Sequence, residues 1–140
     1  MKYFPFYIDL KKKSVLLIGG GEVAERKLDL LIKAKANVTL ISPETTSYIL
    51  DIAEKNNIKI INEKYSSHHL DQKYSFVIAA TNNEELNRSI ALDANKSNIL
   101  VNVVDRPEIC DFIFPSILER GDITVSVSYT HLTLPTKPSV

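Results

Sequence analysis

A chain of 140 residues with 44% hydrophobic residues can build one hydrophobic core and is too short for two domains of ordinary size. Its 17 basic and 17 acidic side chains balance, so it lacks the excess positive charge that nucleic acid or an anionic membrane attracts. No apolar run approaches the roughly 20 residues that span a bilayer, and the N-terminus lacks the features of a signal peptide. We therefore expect a cytoplasmic protein with a small-molecule ligand and without nucleic-acid or membrane partners.

Apolar runs alternate with helical patterns along the first 105 residues. Residues 14–19 form an apolar run rich in branched side chains, which predicts a buried strand, and residues 22–36 have apolar side chains at helical spacing. The same patterns predict strands at 37–42, 58–65, 75–81 and 99–105, and helices at 45–57 and 83–98. Because strands and helices alternate, we predict parallel strands joined by right-handed crossovers, in an α/β doubly wound, Rossmann-like sheet.

The composition changes after the fifth predicted strand. No further crossover helix follows, and the alternating sequence ITVSVS at 123–128 predicts an antiparallel strand that has no following partner and is left as an unpaired edge. We predict a dinucleotide-binding domain at residues 1–113 and the start of a second, antiparallel segment at 114–128. Residues 129–140 contain two prolines and no helical period, and we expect a non-native or disordered tail that is loosely held.

The glycine-rich turn after the first predicted strand carries the clearest functional motif. Gly19, Gly21 and Ala24 fit G-x-G-x-x-G/A between a strand and a helix. The first glycine of this motif permits a tight turn, the second leaves room for a pyrophosphate, and the third small residue lets the helix approach the strand. The motif predicts that residues 19–24, with Gly20 among them, bind a dinucleotide. A glycine-rich turn that binds nothing is the alternative.

The end of the second predicted strand bears on the choice of cofactor. An acidic residue usually binds the ribose hydroxyls there, but this position holds Ser42, and Glu44 is the nearest carboxylate. No lysine or arginine lies in LISPETTSY (40–48), so a 2′-phosphate finds no counter-charge. We predict NAD rather than NADP.

Polar residues also follow the fourth and fifth predicted strands. Ala80, Thr81 and Asn82 leave the fourth strand, and we expect them to border the nicotinamide half of the cofactor, with an ordinary helix cap as the alternative. Asp105 follows the fifth strand at the binding edge of the sheet, which suits proton transfer, and Asn102 is expected in the same cleft. A turn-forming aspartate is the alternative for Asp105.

Two further sets of residues are weaker candidates. His68 and His69 are adjacent in sequence, which does not direct them at one metal ion, and we predict a solvated loop and no metal site. Cys110 is the single cysteine, so no internal disulfide can form, and we predict a small buried side chain rather than a reactive thiol.

Three stretches together resemble a known family: FPFYIDLKKKSVLLIGGGEVAERK (4–27), AATNNEELN (79–87) and VNVVDRPEICDFIFPS (101–116). They are similar to the N-terminal NAD-dependent module of siroheme synthases, the precorrin-2 dehydrogenase and sirohydrochlorin ferrochelatase family. The similarity runs from about residue 3 to about residue 128. The sequence from Tyr129 onward departs from the family pattern.

The resemblance implies an enzyme that oxidises precorrin-2 to sirohydrochlorin with NAD, and in many members also inserts ferrous iron to give sirohaem. It implies that Asp105 is the catalytic acid/base. It also implies cofactor contacts by Glu22, Val23, Pro43 and Glu44.

The family's partners and substrate carry further implications for this chain. Members form homodimers through the region that begins at 114, of which the sequence holds only the start, and we expect dimerisation that is weak or takes a form the family does not use. A fragment that folds and binds NAD without catalysis is therefore a further alternative. A polycarboxylate substrate suits a basic residue near the cleft, and Arg106 is the candidate beside Asn102. An NAD-binding regulatory or sensor module without catalysis is the alternative function, since a sensor needs no acid/base at Asp105.

Overall fold

The computed structural model describes residues 1–127, which form a five-stranded sheet followed by a two-stranded one. The strands of the larger sheet are β1 (Ser14–Ile18), β2 (Asn37–Ile41), β3 (Lys59–Ile61), β4 (Tyr74–Ala79) and β5 (Leu100–Val103). The helices are α1 (Glu22–Lys33), α2 (Ser47–Asn56) and α3 (Glu84–Lys96). Strands β6 (Ser116–Arg120) and β7 (Ile123–Val127) form the smaller sheet. Within this part of the chain, no helix has the length and apolar character needed to cross a membrane.

The larger sheet has the strand order β3-β2-β1-β4-β5, and every neighbouring pair is parallel. The buried residues of α3 join one core cluster with the sheet, and those of α1 and α2 join the other. The chain therefore covers both faces of the sheet and changes direction between β1 and β4. This topology confirms the predicted doubly wound fold and places a binding crevice at the carboxyl ends of β1 and β4.

Alternate residues of β1 pack into opposite cores. Leu16 contacts the cluster on the α3 side, Leu17 contacts the cluster on the α1 side, and both are fully buried. Burying a leucine side chain stabilises a fold by about 1.5–3 kcal/mol. An unbroken apolar run is therefore what a strand covered on both faces requires.

Helices α2 and α3 begin at capping side chains. Thr46 caps α2, since its hydroxyl accepts a hydrogen bond from the Ile49 N–H at 3.2 Å. Asn83 caps α3 by accepting from the Leu86 N–H at 3.0 Å. Strand β3 is shorter than predicted, because the chain leaves the sheet after Ile61 and crosses toward β4 without a helix of regular length.

The strand predicted to lack a partner pairs with β6, and that part of the prediction was wrong. A two-residue turn at Gly121 and Asp122 joins the strands, and Gly121 has φ +55°, a conformation that glycine adopts without strain. A Gly-Asp pair between two apolar runs is a known hairpin signal, and it marks the missed partner. Ser128 and the predicted tail at 129–140 lie outside the described residues.

Candidate functional site

The glycine loop between β1 and α1 packs against the loops that follow β2 and β4. Gly19 has φ +138°, and a Cβ atom there would overlap the carbonyl oxygen of Ala80. A Cβ on Gly20 would overlap the carbonyl oxygen of Glu44. Among the described residues, nothing lies within 4 Å of a Cβ built on Gly21. The first two glycines thus allow the loops to pack closely, and the third faces open space.

The first turn of α1 follows directly from this open position. The N–H of Glu25 donates to the Gly21 carbonyl at 3.0 Å, and the N–H groups of residues 22–24 precede the first intrahelical bond. Ala24 is fully buried against the sheet, so a larger side chain would push the helix away. Open space and unpaired N–H groups at a helix start fit the pyrophosphate of a dinucleotide.

The loop after β2 is held by Ser42. This side chain is 8% exposed, and its hydroxyl donates to the carbonyl oxygen of Glu44 at 2.5 Å. The Thr46 N–H also donates to the Gly20 carbonyl at 3.1 Å. The Ser42 donor is therefore engaged within the loop, whereas Pro43 and the Glu44 side chain are exposed.

The loop after β4 is built around Asn87, which is buried on α3 and which the sequence analysis missed. The Thr81 hydroxyl donates to Asn87 Oδ1 at 2.6 Å, and the Asn87 amide donates to the Thr81 carbonyl at 3.1 Å. The helix cap is Asn83, while Asn82 is exposed. Asn87 lies three residues before the buried Ile90, and this helical spacing places both side chains on the buried face of α3.

Asp105 follows β5 in a tight turn closed by the Arg106 N–H, which donates to the Val103 carbonyl at 3.2 Å. Its φ is +60°, a conformation that aspartate tolerates better than most residues. The backbone of Asp105 thus forms a turn, as the alternative interpretation proposed. Its carboxylate is exposed and takes no part in that turn. A cleft of about 150 Å³ opens beside this turn. Its polar and aromatic lining includes Lys27, Asn102, Asp105, Arg106, Cys110 and Phe114.

Asn102 lies at the base of this cleft and is 5% exposed. Its amide nitrogen donates to the Phe112 carbonyl at 3.0 Å, but Oδ1 has no partner in the described part of the chain. Buried polar atoms are nearly always hydrogen-bonded in folded proteins. Asn102 is among the residues that line the cleft, so the donor for its unpaired oxygen can come from a bound water molecule or a ligand.

Two other lining residues have protein partners. The Arg106 guanidinium forms an ion pair with Glu84 at the start of α3. Cys110 is half-buried, and its sulfur accepts from the Val103 N–H at 3.1 Å. Burial raises the pKa of the Cys110 thiol, which keeps it neutral at physiological pH and agrees with the predicted small buried side chain.

Lys27 is a cleft residue that the sequence analysis did not assign. It is half-buried, and its ammonium lies 4.2 Å from the centre of the Phe114 ring. Burial lowers the pKa of Lys27, and the charge of Arg26 lowers it further, whereas the carboxylate of Asp105 acts in the opposite direction.

The two adjacent histidines converge, contrary to expectation. His68, His69 and Glu63 each offer a ligand atom, and these atoms lie within 4.8 Å of one another, because a 3-10 turn bends the chain there. His69 Nδ1 accepts from the Ser66 N–H at 3.0 Å, so the proton of the neutral ring is on Nε2, 2.9 Å from Glu63. The two contacts of His69 hold the 3-10 turn against Glu63. That these residues bind no metal ion stays a prediction.

A doubly wound parallel sheet with an open glycine loop at the switch point defines the class of Rossmann-like dinucleotide-binding domains. The sequence family described as "Putative NAD(P)-binding" matches residues 6–116, and the chain belongs to this family. The match confirms the prediction of a nicotinamide dinucleotide as cofactor, and the family description covers both NAD and NADP.

Siroheme synthases are similar to this chain along most of its length. It is 43% identical over 128 residues to the siroheme synthase of Pseudoalteromonas translucida (strain TAC 125), covering 91% of this chain and 27% of that protein. It is 41% identical to the siroheme synthase of Psychrobacter sp. (strain PRwf-1), covering 91% of this chain and 26% of that protein. The resemblance noted in the sequence is confirmed, and the chain spans about a quarter of the length of these relatives.

A solved structure described as "SirC, precorrin-2 dehydrogenase" has the same fold. It superimposes with a TM-score of 0.78 at 24% sequence identity, covering 97% of this chain and 64% of that one. The likeness confirms the predicted fold class, including the smaller antiparallel sheet that follows the parallel one.

Proposed function

We propose that this chain is an NAD-dependent oxidoreductase unit that oxidises precorrin-2 to sirohydrochlorin in the formation of sirohaem. The observation that carries the proposal is 43% identity, over 91% of the chain, to a siroheme synthase. The open glycine loop and the cleft beside Asp105 support it, since the reaction needs a dinucleotide and a base at one edge of the sheet.

The dinucleotide lies across the carboxyl ends of β1, β2 and β4 in this proposal. Its pyrophosphate sits at the start of α1, where Gly21 leaves space. NAD is favoured over NADP because Glu44 is exposed near the ribose position and would repel a 2′-phosphate. The proposed cofactor contacts are Gly19, Gly20, Gly21, Glu22, Val23, Ala24, Ser42, Pro43, Glu44, Ala80, Thr81 and Asn82.

Asp105 is the proposed acid/base. When bound, NAD supplies a hydride acceptor, and a substrate that loses a hydride to form a double bond must also release a proton. The Asp105 carboxylate is exposed at the cleft, and its turn fixes it at the edge of the sheet where the substrate enters. A well-placed general base contributes about 10²- to 10⁴-fold to the rate.

Asn102 and Arg106 are the proposed substrate contacts. In this proposal the substrate donates a hydrogen bond to Asn102 Oδ1, which otherwise has no partner in the described part of the chain. Arg106 already pairs with Glu84, but both side chains are partly exposed, and such a pair is worth only about 0.2–1 kcal/mol. A substrate carboxylate would therefore replace Glu84 at little cost.

Insertion of ferrous iron into sirohydrochlorin is a second activity that the siroheme synthase relatives suggest. Metal insertion displaces two pyrrole protons, and Asp105 is a carboxylate in the cleft that can take one. Iron is a substrate in this scheme and is held by the tetrapyrrole. Anaerobic addition of ferrous iron to sirohydrochlorin and protein, against protein-free and Asp105→Asn controls, measures any protein-dependent formation of sirohaem.

A second copy of this chain is the proposed protein partner. Leu118, Ile123, Val125 and Val127 share one face of the β6–β7 hairpin, and between 46% and 65% of each is exposed. The opposite face carries Glu119, which approaches Lys33 of α1 at 3.8 Å. The apolar face is thus turned away from the sheet domain, which favours a homodimer through the hairpin.

Anaerobic incubation of the protein with precorrin-2 and NAD tests the main proposal. We expect protein-dependent formation of NADH together with the absorption spectrum of sirohydrochlorin. Binding of NAD without any NADH, even with both substrates in excess, would contradict the dehydrogenase proposal and favour a sensor module.

A further inference from the structure

Lys27 occupies a position on α1 where an apolar side chain is expected. Ala24, Leu28 and Leu31 form the buried stripe of this helix, and position 27 belongs to the same face by helical spacing. A charged residue in such a stripe loses water around its ammonium, and burial is the main cause that lowers its pKa. The aliphatic part of Lys27 suits this face, but the charge at its end is a departure from the apolar pattern of the stripe.

Lys27 lines the cleft, and its ammonium has few protein partners there. The Phe114 ring covers one side of the ammonium at 4.2 Å. Lys33 and Lys55 both lie within 4.0 Å of a carboxylate, but in residues 1–127 no carboxylate comes that close to the Lys27 ammonium. Asp105 lines the same cleft without forming an ion pair with Lys27. Lys27 therefore has charge and donors available for a ligand.

Asn102 supplies a second, independent sign of a polar ligand in the same cleft. Its Oδ1 is buried and lacks a donor among the residues described, while its amide group is held by the Phe112 carbonyl. The cleft thus offers an acceptor from β5 and a cationic donor from α1. The pyrophosphate position is at Gly21, more than one helical turn before Lys27, so the cofactor phosphates occupy a different site.

We propose that Lys27 binds a carboxylate of the substrate, while Asn102 Oδ1 accepts a hydrogen bond from an N–H group of the same molecule. The inference rests on the proposed function, because a tetrapyrrole with acidic side chains carries both groups. Lys27 is then a determinant of substrate affinity and orientation next to Asp105.

Binding of uroporphyrin, a stable tetrapyrrole with eight carboxylates, tests the site without catalysis. Lys27→Met keeps a flexible side chain against Phe114 and removes the charge, whereas Lys27→Arg keeps the charge. Lys33→Met is the matched control, because it removes a charge from the exposed end of the same helix. We expect the Kd for uroporphyrin to rise about tenfold or more in Lys27→Met, and to change less than about twofold in the other two variants.

The affinity for NAD should be the same in all four proteins, and thermal melting identifies any variant that fails to fold. Equal uroporphyrin affinity in the parent and Lys27→Met would overturn the inference, as would a parent protein that does not bind uroporphyrin. Oxidation of precorrin-2 is scored separately. A parent that binds uroporphyrin through Lys27 but forms no NADH refutes the dehydrogenase proposal alone, while normal oxidation with an unchanged KM in Lys27→Met refutes the Lys27 site alone.

Discussion

Gly20 and Gly21 are neighbours with opposite tolerance for a side chain. A Cβ on Gly20 overlaps the backbone of the loop after β2, and a Cβ on Gly21 meets nothing within 4 Å in the described chain. Gly20→Ala should therefore destabilise the fold by about 2 kcal/mol or more. Gly21→Val should leave the melting temperature nearly unchanged and should weaken NAD binding at least about tenfold, because the side chain fills the pyrophosphate position.

Calorimetric titration with NAD and thermal melting of both glycine variants distinguish these two effects. A folded Gly21→Val protein that binds NAD as tightly as the parent would refute the assignment of the pyrophosphate site. A Gly20→Ala protein with the parent's melting temperature would show that the loops separate more easily than their packing indicates.

Asp105 should act in the chemical step and not in folding. Asparagine has nearly the same size and also tolerates φ near +60°, so Asp105→Asn should keep the turn after β5. It cannot accept a proton, so we expect the rate of precorrin-2 oxidation to fall about 10²-fold or more, with unchanged NAD affinity and melting temperature.

Single-turnover measurements under anaerobic conditions compare Asp105→Asn with the parent. Glu108→Gln is a control that removes an exposed carboxylate three residues after the proposed base. Oxidation by Asp105→Asn at nearly the parent rate would mean that the proton leaves to water or to another group.

The β6–β7 hairpin has one mostly apolar face, which also carries Ser116 and Arg120, because paired residues share a face and successive residues alternate. Val125 lies on the outward apolar face, and Thr124 lies on the other. Val125→Lys should weaken self-association at least about tenfold, while Thr124→Lys should have a smaller effect, since a lysine in a dimer contact is desolvated without a partner.

Sedimentation velocity over a range of protein concentrations measures this difference. The two variants carry the same added charge on the same strand, so a general charge effect would change both equally. A parent protein that remains monomeric at all concentrations would contradict the proposed homodimer.

At the scale of the whole molecule, a bound dinucleotide joins loops from three strands and should stabilise the fold. A ligand at 100 times its Kd adds about 2.7 kcal/mol to the free energy of unfolding when it binds only the folded state. We expect NAD to raise the melting temperature more than NADP at equal concentration, because Glu44 opposes a 2′-phosphate and LISPETTSY (40–48) has no basic residue. Equal shifts with both nucleotides would place Glu44 away from the ribose.

The parallel sheet and the glycine loop could be predicted because both depend on local patterns. An unbroken apolar run such as Val15–Leu17, bounded by polar residues and glycines, is typical of a strand covered on both faces, and small residues at the spacing G-x-G-x-x-A are typical of the turn that follows such a strand. The end of β3 could not be predicted from the sequence. This edge strand pairs only with β2, so its length depends on how far the two strands run side by side.

Which side chains meet across different elements could not be predicted, because that depends on how the elements pack. Lys27 and Asn102 are 75 positions apart and line the same cleft only because the fold brings α1 and β5 to one side of the sheet. The contact between Lys33 and Glu119 likewise depends on how the hairpin lies against α1. Periodicity along a chain reports which face of an element is buried, but it carries no information about which residue of another element lies opposite.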